Sequence, residues 1–151
     1  GVGIRETGET GQVLGWIPRT RCIYVKRAAG ENTVALWSLR PTPGGQPLEL
    51  LRARDVLSVA EVPGNLSALA VIQDQDRKLK LVQVSWGGGS KELMPVPGTD
   101  LGVVAVGPAP WLVTLSYVGP EDRVVEVLRL GEELMPLMKL SDCPVALPVM
   151  R

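Results

Sequence analysis

Gln12-Val-Leu-Gly-Trp-Ile-Pro18, Leu57-Ser-Val-Ala-Glu-Val-Pro63 and Gly102-Val-Val-Ala-Val-Gly-Pro108 are three apolar runs that each end on a proline. The prolines stand 45 residues apart both times, from Pro18 to Pro63 and from Pro63 to Pro108. An interval kept twice, with similar text around each proline, indicates one structural unit copied about three times.

The rest of the unit repeats as well. A second apolar run follows each proline: Cys22-Ile-Tyr-Val-Lys26, Ala68-Leu-Ala-Val-Ile72 and Leu112-Val-Thr-Leu-Ser116. A polar loop comes next, at 27–32, 73–77 and 118–123. The third run is Val34-Ala-Leu-Trp-Ser-Leu39, Leu79-Lys-Leu-Val-Gln-Val84 and Val125-Glu-Val-Leu-Arg-Leu130. Each unit closes on glycine and a Glu-Leu pair, at Glu49-Leu50, Glu92-Leu93 and Glu133-Leu134.

These runs are short, rich in Val, Ile and Leu, and punctuated by Gly, Pro, Asn and Asp, so they read as β-strands. No window sustains helical periodicity over three turns. The best helical alternative, Glu132 to Leu140, contains Pro136, which would break its hydrogen-bond ladder. Four strands in a period of 40–45 residues is the pattern of a β-propeller blade. The expectation is therefore an all-β chain of three four-stranded antiparallel blades, open rather than closed. They fall at 11–54, 55–98 and 99–140, with residues 1–10 ending a preceding blade. Residues 141–151 would start a following one, and Val145-Ala-Leu-Pro148 reads as its first strand. Three blades do not close a ring, so both outer sheet faces are expected to be exposed and to promote self-association. Trp37, mid-run in its strand, is expected to be enclosed and costly to truncate. Trp86, beside a Gly-rich turn, is expected to matter much less.

Composition narrows the chemistry. Sixteen basic residues balance sixteen acidic ones, which gives no electrostatic case for nucleic acid or an anionic membrane. The chain has no histidine, and so lacks the commonest general base and metal ligand. Cys22 and Cys143 form no metal motif, and they could pair only if the chain ends met. No Gly-x-Ser-x-Gly elbow occurs. The loop Gln73-Asp74-Gln75-Asp76-Arg77-Lys78 lacks the oxygen ligands and turn glycine of a calcium site and reads as a hairpin tip. No cofactor and no metal is expected.

Trp16-Ile17-Pro18, Ile23-Tyr24-Val25, Leu36-Trp37 and Pro43-Gly44-Gly45 leading to Leu50 resemble the TolB-like group of WD-like propeller repeats. The likeness covers about residues 10–140 and is fullest in the first unit. The second keeps Val62-Pro63-Gly64 and Gly87-Gly88-Gly89. The Asp-Gly of the usual turn is replaced by Arg19-Thr20, Gly64-Asn65 and Ala109-Pro110. The resemblance implies bacterial envelope scaffolds, lipoprotein sensor domains, or the non-catalytic half of prolyl-oligopeptidase-like peptidases, and hence an extracytoplasmic (periplasmic or envelope) setting.

Propeller ligands meet the loops between strands two and three and the loops that join blades. Arg52, Arg54, Asp55 and Asp100 fall there. Asp55 and Asp100 each stand eight residues before a proline, where they could form part of a polar ring or simply cap turn N–H groups. The expected function is a non-catalytic module or scaffold that binds a protein, peptide or glycan. The alternative is the propeller portion of a serine peptidase whose catalytic domain lies outside this chain.

Overall fold

A computed structural model of the chain describes residues 12–17, 22–39, 46–65, 67–86, 88–97, 102–108, 111–119 and 122–143. Pro18, Asp100 and Val145-Ala-Leu-Pro148 lie outside these residues, as do the side chains of Cys22 and Cys143. The chain is all-β, with no helix among the described residues.

Twelve strands form three antiparallel sheets of four. The first sheet holds β1 (Gln12–Ile17), β2 (Cys22–Gly30), β3 (Thr33–Leu39) and β4 (Leu48–Ala53) in sequence order. The second holds β5 (Asp55–Val62), β6 (Ser67–Gln73), β7 (Leu79–Ser85) and β8 (Ser90–Val96). The third holds β9 (Gly102–Val106), β10 (Leu112–Val118), β11 (Arg123–Leu130) and β12 (Leu134–Cys143). No sheet closes on itself. Residues 132–140, the helical alternative, lie largely in β12, where Pro136 sits opposite Leu128 on an outermost strand. An edge position tolerates its missing N–H. β12 continues to Cys143, past the boundary at 140 expected from the repeat.

Local chemistry explains the turns. Pro63 and Gly64 occupy the centre of a turn closed by Asn65 N–H donating to the Val62 carbonyl at 3.1 Å. Gly64 has φ of +79°, so this is a type II arrangement with proline first and glycine second. In the first sheet β2 runs on to Gly30, and the expected loop shrinks to Glu31-Asn32. Asn32, at φ of +51°, takes the left-handed conformation that asparagine tolerates in turns.

Packing is between sheets. Residues on a strand point alternately to its two faces. In β6, Ala68 and Ala70 face the first sheet, while Leu69 and Val71 face the third. This double burial fits the unbroken apolar run Ala68 to Ile72 in β6. The contact between sheets one and two (the first seam) buries Tyr24, Leu36, Val56, Ala68, Ala70, Val82 and Val84. The second seam is larger and joins Leu69, Val71, Leu79 and Leu81 to Val104, Val113, Leu115, Tyr117 and Leu128. Gly102 allows its closest approach, because a Cβ there would lie 2.7 Å from Val71 Cγ1.

The two outer faces differ. On the third sheet Val103, Leu112, Met135, Met138 and Leu140 are all exposed. On the first sheet the outward-pointing Val25 and Ala35 are only 4% and 2% exposed. Val13, which pairs with Val25 and so shares this face, is 41% exposed. Trp37 is partly buried on this face, with the Arg27 guanidinium 5.1 Å from its ring centroid. Its indole N–H is buried and finds no acceptor.

Candidate functional site

Connections alternate between the two ends of each sheet. One end carries the β2–β3, β6–β7 and β10–β11 hairpins and the crossings from one sheet to the next. The other carries the proline turns and the β3–β4, β7–β8 and β11–β12 turns.

Arg52, Arg54 and Asp55 all belong to the crossing end. Arg52 is on β4, opposite Ala35. Its guanidinium donates to both carboxylate oxygens of Glu49, at 3.0 and 3.1 Å. Arg54 is the single residue between β4 and β5, and its backbone N–H donates to the Gln73 carbonyl at 3.0 Å. Its guanidinium makes no hydrogen bond or ion pair to the described residues. Asp55 opens β5 and is engaged through one carboxylate oxygen. Its Oδ1 accepts from Val56 N–H at 2.8 Å and from Lys26 Nζ at 2.7 Å. Lys26 also donates to the Val56 carbonyl at 2.9 Å. Asp55 is thus a backbone cap and one half of an ion pair across the first seam.

The neighbouring hairpin tips carry their own chemistry. Asp74 Oδ1 accepts from the backbone N–H groups of Asp76 and Lys78, at 2.9 and 3.0 Å. Its Oδ2 is 3.3 Å from Lys80 Nζ, which also reaches Glu92 at 3.2 Å. The Lys78 N–H above all, with Lys80 beside it, holds the Asp74 carboxyl below its ordinary range. Glu92 and then Asp74 hold the Lys80 ammonium above its own. The Asp74 carboxylate is thus turned inward, while Asp76 is exposed. Among the described residues no group of three or more Cys, Asp or Glu could hold a metal ion. The Gln75 side-chain amide reaches the Asn32 carbonyl at 3.5 Å, which ties the first two hairpin tips together.

At the opposite end two tryptophans reach back across the seams. Trp86 Nε1 donates to Tyr24 Oη at 3.3 Å, and Tyr24 Oη donates to Glu61 Oε1 at 3.4 Å. Glu61 is buried at 9% exposure, so this chain gives a buried carboxylate a partner in the neighbouring sheet. Trp111 Nε1 donates to the Pro63 carbonyl at 2.8 Å. Trp86 is therefore a seam residue as well as a neighbour of the Gly-rich turn. The sequence held a signal for both, since each indole stands at a strand-joining turn. The partners could not be read, because they lie 62 and 48 residues away.

A shallow groove of about 720 Å³ opens at this end, lined by Lys91, Arg129, residues 131–134, Met135 and Pro136. Lys91 Nζ donates to the Glu132 carbonyl at 3.3 Å and spans sheets two and three. Cations and the carboxylates of Glu132 and Glu133 mix along the lining, so no single ligand charge is favoured.

No helix among the described residues is long and apolar enough to cross a membrane. Compared with known proteins, the chain matches no family model, no curated protein and no solved structure.

Proposed function

We propose that this chain is a β-propeller segment that acts as a non-catalytic binding or scaffold module for a protein, peptide or glycan. It uses the end where the chain crosses from sheet to sheet. The observation that carries the reading is the state of the four residues expected there. Asp55 is consumed by the fold, Arg52 is paired on its own strand, and Asp100 lies outside the described residues. Arg54, on the one-residue link between two packed sheets, holds a guanidinium with no hydrogen bond or ion pair to the described residues. A rigid crossing that presents five N–H donors suits a carboxylate, a backbone carbonyl or a sugar hydroxyl. The absence of histidine from the whole sequence and of a nucleophile elbow fits recognition better than turnover. The TolB-like character of the repeat points to an extracytoplasmic setting.

The test is binding of the 151-residue chain to an array of peptides and glycans, followed by titration of hits with Arg54→Ala and Asp55→Asn variants. Arg54→Ala should weaken a genuine hit about tenfold, the effect of a lost charge-assisted bond. Asp55→Asn should alter stability more than affinity. Binding that ignores Arg54 would refute the assignment of this end.

A further inference from the structure

The pairing of β11 with β12 slips by one residue near its middle. Arg129 stands opposite Met135 and Leu128 opposite Pro136, but Val127 stands opposite Met138. Leu137 is therefore an extra residue, a β-bulge on the outermost strand of the third sheet. Without it, Met135 and Met138 would point to opposite faces, because side chains alternate along a strand. With it they share a face. Residues directly opposite each other point the same way, and Arg129 and Val127 stand two apart on β11. The shared face is the outer one, since Arg129 also stands opposite Leu112 of β10, which is exposed. Leu140, opposite Val125, extends the same row.

Both methionines are open to solvent, Met135 at 49% and Met138 at 55% exposure. Met94, the third methionine among the described residues, packs instead against the core of the second seam. Met135 has a polar neighbour as well. The Arg129 guanidinium donates to its Sδ at 3.6 Å. Arg129 makes no ion pair with the described residues, so its donors are not already committed to a carboxylate. A thioether sulfur is a weak acceptor. A sulfoxide oxygen in its place would receive a charge-assisted hydrogen bond from the same donor. The site thus holds a group better matched to oxidised Met135 than to the reduced side chain.

We propose that Met135 and Met138 form a two-thioether oxidation site for a peroxide, and that their oxidation turns the outer face of the third sheet from apolar to polar. At each sulfur a lone pair attacks one peroxide oxygen. The S–O bond forms as the O–O bond breaks, and the proton of the transferred hydroxyl passes to the departing hydroxide to give water. Sulfur loses two electrons and the peroxide gains them. The sulfoxide is polar, and thiol-dependent reductases return it to the thioether. At Met135 the new oxygen accepts from Arg129, which holds the oxidised side chain in place. At Met138 it breaks the apolar row between Met135 and Leu140. Neither step involves a ligand at the sheet crossings.

The test exposes the 151-residue chain to hydrogen peroxide and maps the oxygen uptake by digestion and mass spectrometry. Met135 and Met138 should each gain one oxygen at least five times faster than Met94. Binding of a hydrophobic dye should fall about twofold as they do, while the β-sheet circular dichroism persists. The two methionine sulfoxide reductases, one for each epimer, should restore it in the presence of a thiol. Met135→Leu with Met138→Leu should bind the dye as the reduced chain does and lose the response to peroxide. In Arg129→Leu the Met135 sulfoxide should be reduced at least twice as fast as in the parent chain, because nothing then holds its oxygen. Oxidation no faster than at Met94, dye binding that ignores oxidation, or a full response in the double variant would each overturn the inference. An unchanged reduction rate in Arg129→Leu would remove Arg129 from the site.

Discussion

Across the first seam run an ion pair (Lys26 with Asp55) and a hydrogen-bonded chain from Trp86 through Tyr24 to Glu61. Two of its buried apolar residues are alanines, Ala68 and Ala70. Across the second seam the buried residues are mostly Leu and Val. Its cross-sheet hydrogen bonds join side chain to backbone: Trp111 to the Pro63 carbonyl, and Val104 N–H to Ser58 Oγ at 3.1 Å. Tyr117 faces this seam but turns its hydroxyl to Glu126 of its own sheet. Burial first, and then that carboxylate, push its phenol well above the ordinary range. Side-by-side copies of one unit are thus held by different forces. The first seam gains partner specificity from polar groups that must each be satisfied. The second relies on apolar area, at roughly 25 cal/mol per Å².

The sharpest way to break this comparison is to hollow the second seam. Leu115 is fully buried there. Leu115→Ala should cost about 2–5 kcal/mol. Units joined only through their neighbours need not melt together, so the loss should appear first in the third sheet. Hydrogen exchange by segment would reveal it as early exchange in β9–β12 with β2 and β3 still protected. Uniform loss of protection would mean that the seams are one cooperative body.

The Gly102–Val71 contact sharpens it from the opposite direction. Gly102→Ala places a methyl against Val71 and should cost about 1–3 kcal/mol by overpacking. Val71→Ala costs its own cavity, yet the double variant should recover part of the Gly102→Ala loss. A urea-denaturation cycle measures the coupling. Strict additivity would show that the seam relaxes around the added methyl.

Tyr24→Phe asks the same of the first seam. It removes the hydroxyl that accepts from Trp86 Nε1 and donates to Glu61 Oε1, and so breaks both of these hydrogen bonds. The expected loss is about 1–2 kcal/mol. Trp86→Phe should cost less once Tyr24 is Phe, because the two changes break one shared bond. Equal costs in both backgrounds would mean that the 3.3 Å contact adds nothing to stability.

Much of this fold was legible in the sequence. The 45-residue interval and the four runs per unit have counterparts in the three sheets, and the Pro63 turn has one in the second. Val62, Pro63, Gly64 and Asn65 encode their turn locally, and so could be read locally. What escaped depends on residues distant in sequence. Nothing near Glu61 indicates that Tyr24 bonds it, and nothing near Trp86 indicates that its indole leaves its own sheet. The outer faces escaped for a related reason. Val25 and Val103 are alike as residues, and only tertiary contacts make one 4% and the other 58% exposed. The candidate site divided in the same way. Asp55 stands at the crossing from β4 to β5, but what its carboxylate meets depends on Lys26, 29 residues away.

Asp55 also supplies the smallest effect and the cleanest separation of forces. Its carboxylate does two jobs: it accepts the Val56 N–H, and it pairs with Lys26 at 2.7 Å. The two side chains are 18% and 36% exposed, so solvent and salt reach the pair. Such a pair contributes up to about 1 kcal/mol. Screening shortens from about 10 Å at 0.1 M salt to about 3 Å at 1 M, and so weakens it further. Asp55→Asn keeps an oxygen for the Val56 N–H and removes only the charge. Its cost in urea should therefore be at most about 1 kcal/mol at low salt and should shrink toward zero near 1 M sodium chloride. Asp55→Ala loses the cap as well, and so should keep a residual cost at high salt. Leu115→Ala, which removes only apolar contacts, should cost as much at high salt as at low. If Asp55→Asn costs the same at both salt concentrations, the carboxylate stabilises the seam through the cap alone. The first seam would then depend on Tyr24, Glu61 and Trp86 for its polar contacts.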